Sequence, residues 1–230
     1  MTASRSSLDA AERTFRRLGA TVAFLALAAA LIGIGRGLGR PSARQPGRPQ
    51  LAHGPGSLAA ATAGFLGASA FLWRPLPIAP GPRARALASG VGSVALLSGL
   101  GLYLAGRAAL GPAYNVSSTF GARLYRDQRL VTSGPYAVVR HPMYAGLMIA
   151  AVGALLLYRT WTTLTFVTAL PALVIRARRE DEALADRFRA EWAEYRDRVP
   201  AWIPRWPPIR GVARPATAPA IEARRGPGRR

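Results

Sequence analysis

Met143–Tyr158 (MYAGLMIAAVGALLLY) and Thr160–Ile175 (TWTTLTFVTALPALVI) are two apolar stretches without a charge, separated by Arg159 alone. A bilayer core roughly 30 Å thick needs about 20 mostly apolar helical residues, with about 17 as the low end. Both stretches sit near that lower limit. In lipid the backbone polar groups must be satisfied within each segment, so each reads as a helix and the pair as a tight hairpin. Working outward, Leu18–Gly35, Ser57–Trp73 and Leu87–Ala105 are also free of charged residues. The expected fold is therefore all-α, a polytopic membrane helical bundle of about five transmembrane helices. Leu184, Phe188, Trp192 and Tyr195 recur at spacings of 4, 4 and 3, with charges on the other face and Pro200 at the end. That stripe adds a C-terminal interfacial amphipathic helix.

The chain of 230 residues carries a net charge of +20, and all 31 of its basic residues are arginine. Basicity on that scale suggests nucleic acid. The apolar residues, however, fall in long blocks, which is the pattern of a membrane protein and not of a nucleic-acid binder. With no cysteine, a disulfide framework, a zinc–thiolate site, an iron–sulfur cluster and a cysteine nucleophile are excluded, and no metal site is expected.

Arginine distribution sets the expected orientation, because cytoplasmic loops are enriched in positive charge. With five spans and the C-terminus inside, 23 arginines lie on the inner side and 8 on the outer. Arg13, Arg16 and Arg17 run against that layout, which leaves the first span open to misassignment or to a tilted or re-entrant course. Leu18–Gly35 is read as a retained helix and not a signal peptide, since it runs straight into Arg36. Three regions follow: residues 1–105 with the first three spans and basic loops, 106–210 with the polar segments and last two spans, and 211–230 as a basic Pro/Ala/Arg tail. Ala60, Gly64 and Ala68 are spaced for close helix packing. His53 lies in a Gly/Pro loop and carries no expected role.

Three polar segments surround the hairpin. Ser133-Gly134-Pro135-Tyr136 marks a turn. Arg140-His141-Pro142-Met143-Tyr144 runs into the fourth span, with Pro142 suited to a helix start. Arg176 and the acidic run Glu180-Asp181-Glu182 follow the fifth span. The hairpin returns the last two segments to one side of the bilayer, about one helix diameter apart, roughly 10 Å. Arginines, one histidine, carboxylates and aromatic rings at a membrane boundary suit a small zwitterionic or cationic ligand. Taken singly, the same residues also serve as a basic anchor, an aromatic belt and helix-start charges.

These segments, with Phe188, Tyr195 and Val199-Pro200, resemble the isoprenylcysteine carboxyl methyltransferase family, and phosphatidylethanolamine N-methyltransferases look similar over the same stretch. The resemblance covers about Leu110–Pro204 and reaches the first three spans only in hydropathy. It implies an integral-membrane methyltransferase that uses S-adenosylmethionine without a Rossmann domain. Consistent with that, Leu38 occupies the third glycine position after Gly33 and Gly35 of a G-x-G-x-x-G pattern. The resemblance assigns His141, Pro142 and Tyr144 to the cofactor pocket beside Arg140, with Gly134 and Tyr136 shaping the adjacent loop. Arg176 and Glu180 match the arginine and first glutamate that serve in cofactor binding and catalysis, with His141 a further catalytic candidate. Asp181 replaces the second glutamate, one methylene shorter. Arg189 stands where glycine is usual and Trp192 where tyrosine is common; both read as tolerable on an interfacial helix.

The implied partners are the bilayer and a lipid-like or small-molecule methyl acceptor, whether carboxylate, amine or thiol. The implied location is a bacterial plasma membrane, with the site and C-terminus cytoplasmic. An NADPH-dependent membrane reductase of sterol-like or unsaturated lipids shares the Arg-His-Pro-x-Tyr segment. Those enzymes commonly carry asparagine before the tyrosine and glutamate shortly after it, where this chain has Met143 and Gly146-Leu147. A non-catalytic membrane scaffold is the third reading.

Overall fold

A computed structural model describes residues 2–37, 55–114 and 129–205. The expected basic tail at 211–230, His53 and most of the Arg36–Gly56 loop lie outside the described residues. Among the described residues six α-helices form in the order α1 (Thr2–Gly37), α2 (Pro55–Phe71), α3 (Pro82–Leu110), α4 (Pro142–Tyr158), α5 (Trp161–Thr168) and α6 (Leu170–Arg198). Two short 3-10 turns, Gly111–Ala113 and Gly134–Ala137, flank the segment between α3 and α4. No strand forms among the described residues; a single antiparallel bridge joins Pro75 to Thr160.

Two helices, over Leu8–Gly33 and Pro82–Leu110, are long and apolar enough to cross a membrane. Ala59–Phe71 and Pro142–Tyr158 are shorter apolar helices. The outer faces of the long pair carry Phe24 at 68% exposure and Val94 at 70%. Among the described residues nothing covers these side chains, whereas a core helix of a water-soluble protein would have them buried. α1 is one continuous helix through the first apolar stretch. Its Gly19 faces Leu96 and Tyr158 while its Gly33 faces Arg107 and Tyr114, so α1 runs parallel to α3.

α3 and α4 pack antiparallel along a seam of small residues. Gly92, Gly99 and Gly106 repeat every seven residues on α3, and Gly146 and Gly153 do so on α4. A Cβ on Gly99 would stand 2.5 Å from the Gly146 carbonyl oxygen, and one on Gly146 would stand 2.7 Å from the Tyr103 nitrogen. Only hydrogen fits there, so the two backbones touch, and Leu96, Leu100, Tyr103, Ala150 and Leu157 close the core around them. The close packing expected of Ala60, Gly64 and Ala68 does not form among the described residues. All three are exposed, and nothing lies within 4 Å of a Cβ built on Gly64. α2 instead meets α5 through the Thr162 hydroxyl, which donates to the Ser69 carbonyl at 2.7 Å, and through Phe65 against Phe166.

The hairpin turns where the sequence places it. α4 ends at Arg159, whose left-handed backbone (φ 53, ψ 50) reverses the chain, and Thr160 caps α5 in a reciprocal box with Thr163. The fifth apolar stretch is not one straight helix: Ala169 separates α5 from α6, next to Pro171, which cannot donate a backbone hydrogen bond. α6 then carries the chain past Arg176 to Glu180, back at the end where α4 begins.

Candidate active site at the α4–α6 end

The site is built where α4 starts. Gly134 takes φ +61, a left-handed conformation that a side chain would strain, and this lets the Gly134–Ala137 turn swing Tyr136 inward. Tyr136 and His141 are buried. Pro142, also buried, opens α4 where its missing N–H costs nothing. His141 precedes it with a non-helical backbone (φ −122, ψ 54), and its own carbonyl accepts from the Ala145 N–H at 2.9 Å.

Two carboxylates of α6 divide the partners between them. Asp181 takes the first segment: His141 Nε2 lies 2.9 Å from its Oδ1 and Arg140 Nη2 lies 3.3 Å from its Oδ2. Glu180 takes the second, with the Tyr144 hydroxyl hydrogen-bonded to it and Arg176 and His141 acting on it electrostatically. Arg176 Nε donates to the Tyr144 hydroxyl at 2.8 Å. Burial pushes the Glu180 carboxyl above its usual range, against the pull of His141 and Arg176. Burial also raises the Tyr136 phenol, with Glu180 adding to it, and pushes Tyr195 up to about 12. Both phenols stay neutral, and that of Tyr195 donates a hydrogen bond.

Arg140, His141, Tyr144, Arg176, Glu180 and Asp181 thus converge, with Tyr136 beside them and Gly134 and Pro142 acting through the backbone. Aspartate in the second acidic position reaches both of its partners. Arg189 behaves differently from the expectation of tolerance. Its φ of 45 and ψ of −106 break α6, a conformation that glycine adopts freely and arginine does not. The apolar stripe survives the break, because Trp192, Tyr195 and Val199 still pack with Leu184 and Phe188.

The residues after α6 were not singled out as site residues by sequence reasoning. The Arg140 N–H donates to the Pro200 carbonyl at 2.9 Å and the His141 N–H to the Ala201 carbonyl at 3.1 Å. The Trp202 ring lies 5.1 Å from the imidazole of His141, whose ring is also 5.9 Å from Tyr144. The Tyr195 hydroxyl donates to the Tyr136 carbonyl at 2.7 Å. Pro200 is legible as the end of a helix, but nothing in the spacing shows that the chain then folds back on Arg140.

Residues 87–191, from α3 to just past the break in α6, match the phospholipid methyltransferase family. The match covers a little under half of the chain. Among curated relatives, a protein-S-isoprenylcysteine O-methyltransferase of Schizosaccharomyces pombe is 34% identical over 111 residues, 46% of this chain and 45% of the relative. A cobalt-zinc-cadmium resistance protein of Cupriavidus metallidurans is 41% identical over 91 residues, 37% of this chain and 40% of that protein. Protein-S-isoprenylcysteine O-methyltransferase B of Arabidopsis thaliana is 32% identical over 84 residues, 36% of this chain and 43% of the relative. The chain spans less than half the length of these relatives. The matched region holds Gly134, Tyr136, Arg140, His141, Pro142, Tyr144, Arg176, Glu180 and Asp181, whereas Pro200, Ala201 and Trp202, the segment that closes over His141, lie beyond it.

Proposed function

We propose that the α4–α6 end binds S-adenosylmethionine and transfers its methyl group to a lipid-like or small membrane-accessible acceptor. The observation that carries this reading is the convergence of Arg140, His141, Tyr144, Arg176, Glu180 and Asp181 within the phospholipid methyltransferase region. The donor set fits the group. Arg140 Nε is buried without a hydrogen-bond partner, which suits an anionic oxygen. The carboxylates of Glu180 and Asp181 suit an ammonium, and the rings of Tyr144 and Trp202 suit a sulfonium or an adenine.

When bound, the cofactor supplies an electrophilic methyl group, transferred by in-line displacement. The chain's own residues contribute position and a water-poor setting. Asp181 holds Arg140 and His141 in register. Glu180 fixes Tyr144 together with Arg176. A carboxylate acceptor needs no base; for an amine or thiol, Glu180 and His141 are the groups able to take the proton. We assign the site and the C-terminus to the cytoplasmic face of a plasma membrane, and the five apolar segments to five spans, supported by the arginine distribution.

The test is direct binding of S-adenosylmethionine to detergent-purified protein, wild type beside His141→Ala, with NADPH titrated in parallel. Saturable sulfonium-cofactor binding lost in the variant is the expected result. Binding of NADPH alone would move the assignment to membrane reductases, and binding of neither would leave a scaffold.

A further inference from the structure

The strap that follows α6 lies past the matched region, yet it is built onto the start of α4. Val199 takes the extended backbone (φ −113, ψ 120) that a following proline favours, so the chain leaves α6 extended. Its root is firm. Val199 packs with Trp192 and Tyr195, and the Tyr195 hydroxyl donates to the Tyr136 carbonyl at 2.7 Å. At a helix start the backbone N–H groups lack an intrahelical acceptor. Here those of Arg140 and His141 are taken by the carbonyls of Pro200 and Ala201, at 2.9 and 3.1 Å.

Those two hydrogen bonds use the strap's backbone and do not require the side chain of Trp202. The Trp202 ring is half-buried and belongs to none of the hydrophobic clusters among the described residues. It stands instead against His141, 5.1 Å between ring centres and at 33° between planes, nearer than Tyr144 at 5.9 Å. Ile203, the next residue, is 79% exposed, so the strap leaves the site directly after Trp202. Asp181 Oδ1 lies 2.9 Å from His141 Nε2. A partner at one ring nitrogen fixes a point of the imidazole and leaves its plane to be set by the rings beside it.

We propose that Trp202 is a positioning residue of the α4–α6 site, setting the plane of the His141 imidazole before the cofactor arrives. The proposal rests on the methyl-transfer reading above and extends the working site past α6. The strap's carbonyls hold the backbone of Arg140 and His141, and its indole holds the ring.

The experiment uses the full chain in detergent with labelled histidine and tyrosine rings. The chain has two histidines, so a His53→Ala background leaves the His141 signal alone. Two quantities are read in that background and in Trp202→Ala, Trp202→Leu and Trp202→Phe: the nuclear Overhauser contact between the His141 and Tyr144 rings without cofactor, and the affinity for S-adenosylmethionine. Trp202→Ala and Trp202→Leu should weaken the ring contact and lower affinity about tenfold, whereas Trp202→Phe should keep the contact and stay within about threefold. If Trp202→Ala does not fold, the leucine and phenylalanine variants decide. Leucine serving as well as phenylalanine would reduce Trp202 to a space-filler and overturn the proposal. Lost affinity with an unaltered His141–Tyr144 contact would also overturn it, placing Trp202 directly on the cofactor. Unchanged affinity in Trp202→Ala would overturn the proposal alone, while no binding by the background protein would overturn the methyl-transfer reading and the proposal with it.

Discussion

The two ends of the helical bundle solve the same electrostatic problem with different materials. At the α4–α6 end, Asp181 and Glu180 hold Arg140, His141, Tyr144 and Arg176, all drawn from two short segments joined by one hairpin. At the far end, Glu12 gathers Arg16, Arg85 and Arg159, which come from α1, α3 and the turn after α4. The first arrangement leaves polar atoms and aromatic faces available to a ligand. The second mainly fastens helices, since one buried carboxylate serves three arginines. The comparison also bears on Arg16, one of the three arginines that run against the charge bias of the loops. Arg16 is held by Glu12, so at least that charge is offset within the protein.

Separate mutations should divide the two ends cleanly. Arg176→Ala and Glu180→Gln should each lower methyl transfer by about 100-fold or more while leaving the thermal midpoint close to wild type, a loss of positioning and electrostatics. Glu12→Gln should do the reverse. Removing one partner of a buried ionic cluster costs about 3 kcal/mol, read as a large drop in midpoint in detergent, with cofactor affinity kept at low temperature. A Glu12→Gln protein that keeps its midpoint but loses the cofactor would mean that the far end is not structural.

Asp181 sharpens the comparison within the site itself. Asp181→Asn keeps the shape but removes the charge facing Arg140 and His141, and roughly a tenfold loss of cofactor affinity is expected from weakened charge-assisted hydrogen bonds. Asp181→Glu should recover most of it, since glutamate is common at this position in the resembling family; equal affinity in all three proteins would remove Asp181 from the site.

Glu180 gives a pH test. Its carboxyl is raised above its usual 4.5 by burial, so the folded chain binds that proton more tightly than the unfolded chain. Stability contributed by the neutral form is therefore fully present at low pH and lost as pH rises from the ordinary carboxylate range through the raised folded value. Midpoints measured from about pH 4 to pH 8 should fall more steeply in the wild type than in Glu180→Gln; parallel curves would refute the assignment. The smallest expected effect is Arg189→Gly. Relief of the left-handed backbone should stabilise the chain by about 1 kcal/mol, offset in part by the freer unfolded state, and a destabilised variant would show that the arginine side chain matters more than its backbone.

Much of the site was legible because its parts are local. Gly134-Pro135-Tyr136, Arg140-His141-Pro142 and Glu180-Asp181 each sit in a short run, and apolar length alone placed the hairpin that brings two of them together. Arg189 was legible as a departure from glycine, but not as a positive φ, because the 4, 4, 3 spacing continues across the break and looks like one straight helix. The glycine seam was present in plain view as a seven-residue repeat on two helices. Small residues are common in apolar helices, however, and Ala60, Gly64 and Ala68 offered the same pattern on a face that stays exposed.

By itself, the sequence determined an all-helical chain, the positions of its apolar segments and the identity of most residues at the α4–α6 end. Those follow from local composition and from motifs a few residues long. Only the tertiary structure decided that α3 and α4 touch backbone to backbone, that Pro200–Trp202 returns to cover His141, and that Glu12 joins residues 73 and 147 positions away. Such contacts depend on which helix faces meet, and helical periodicity fixes the faces of a segment without naming their partners.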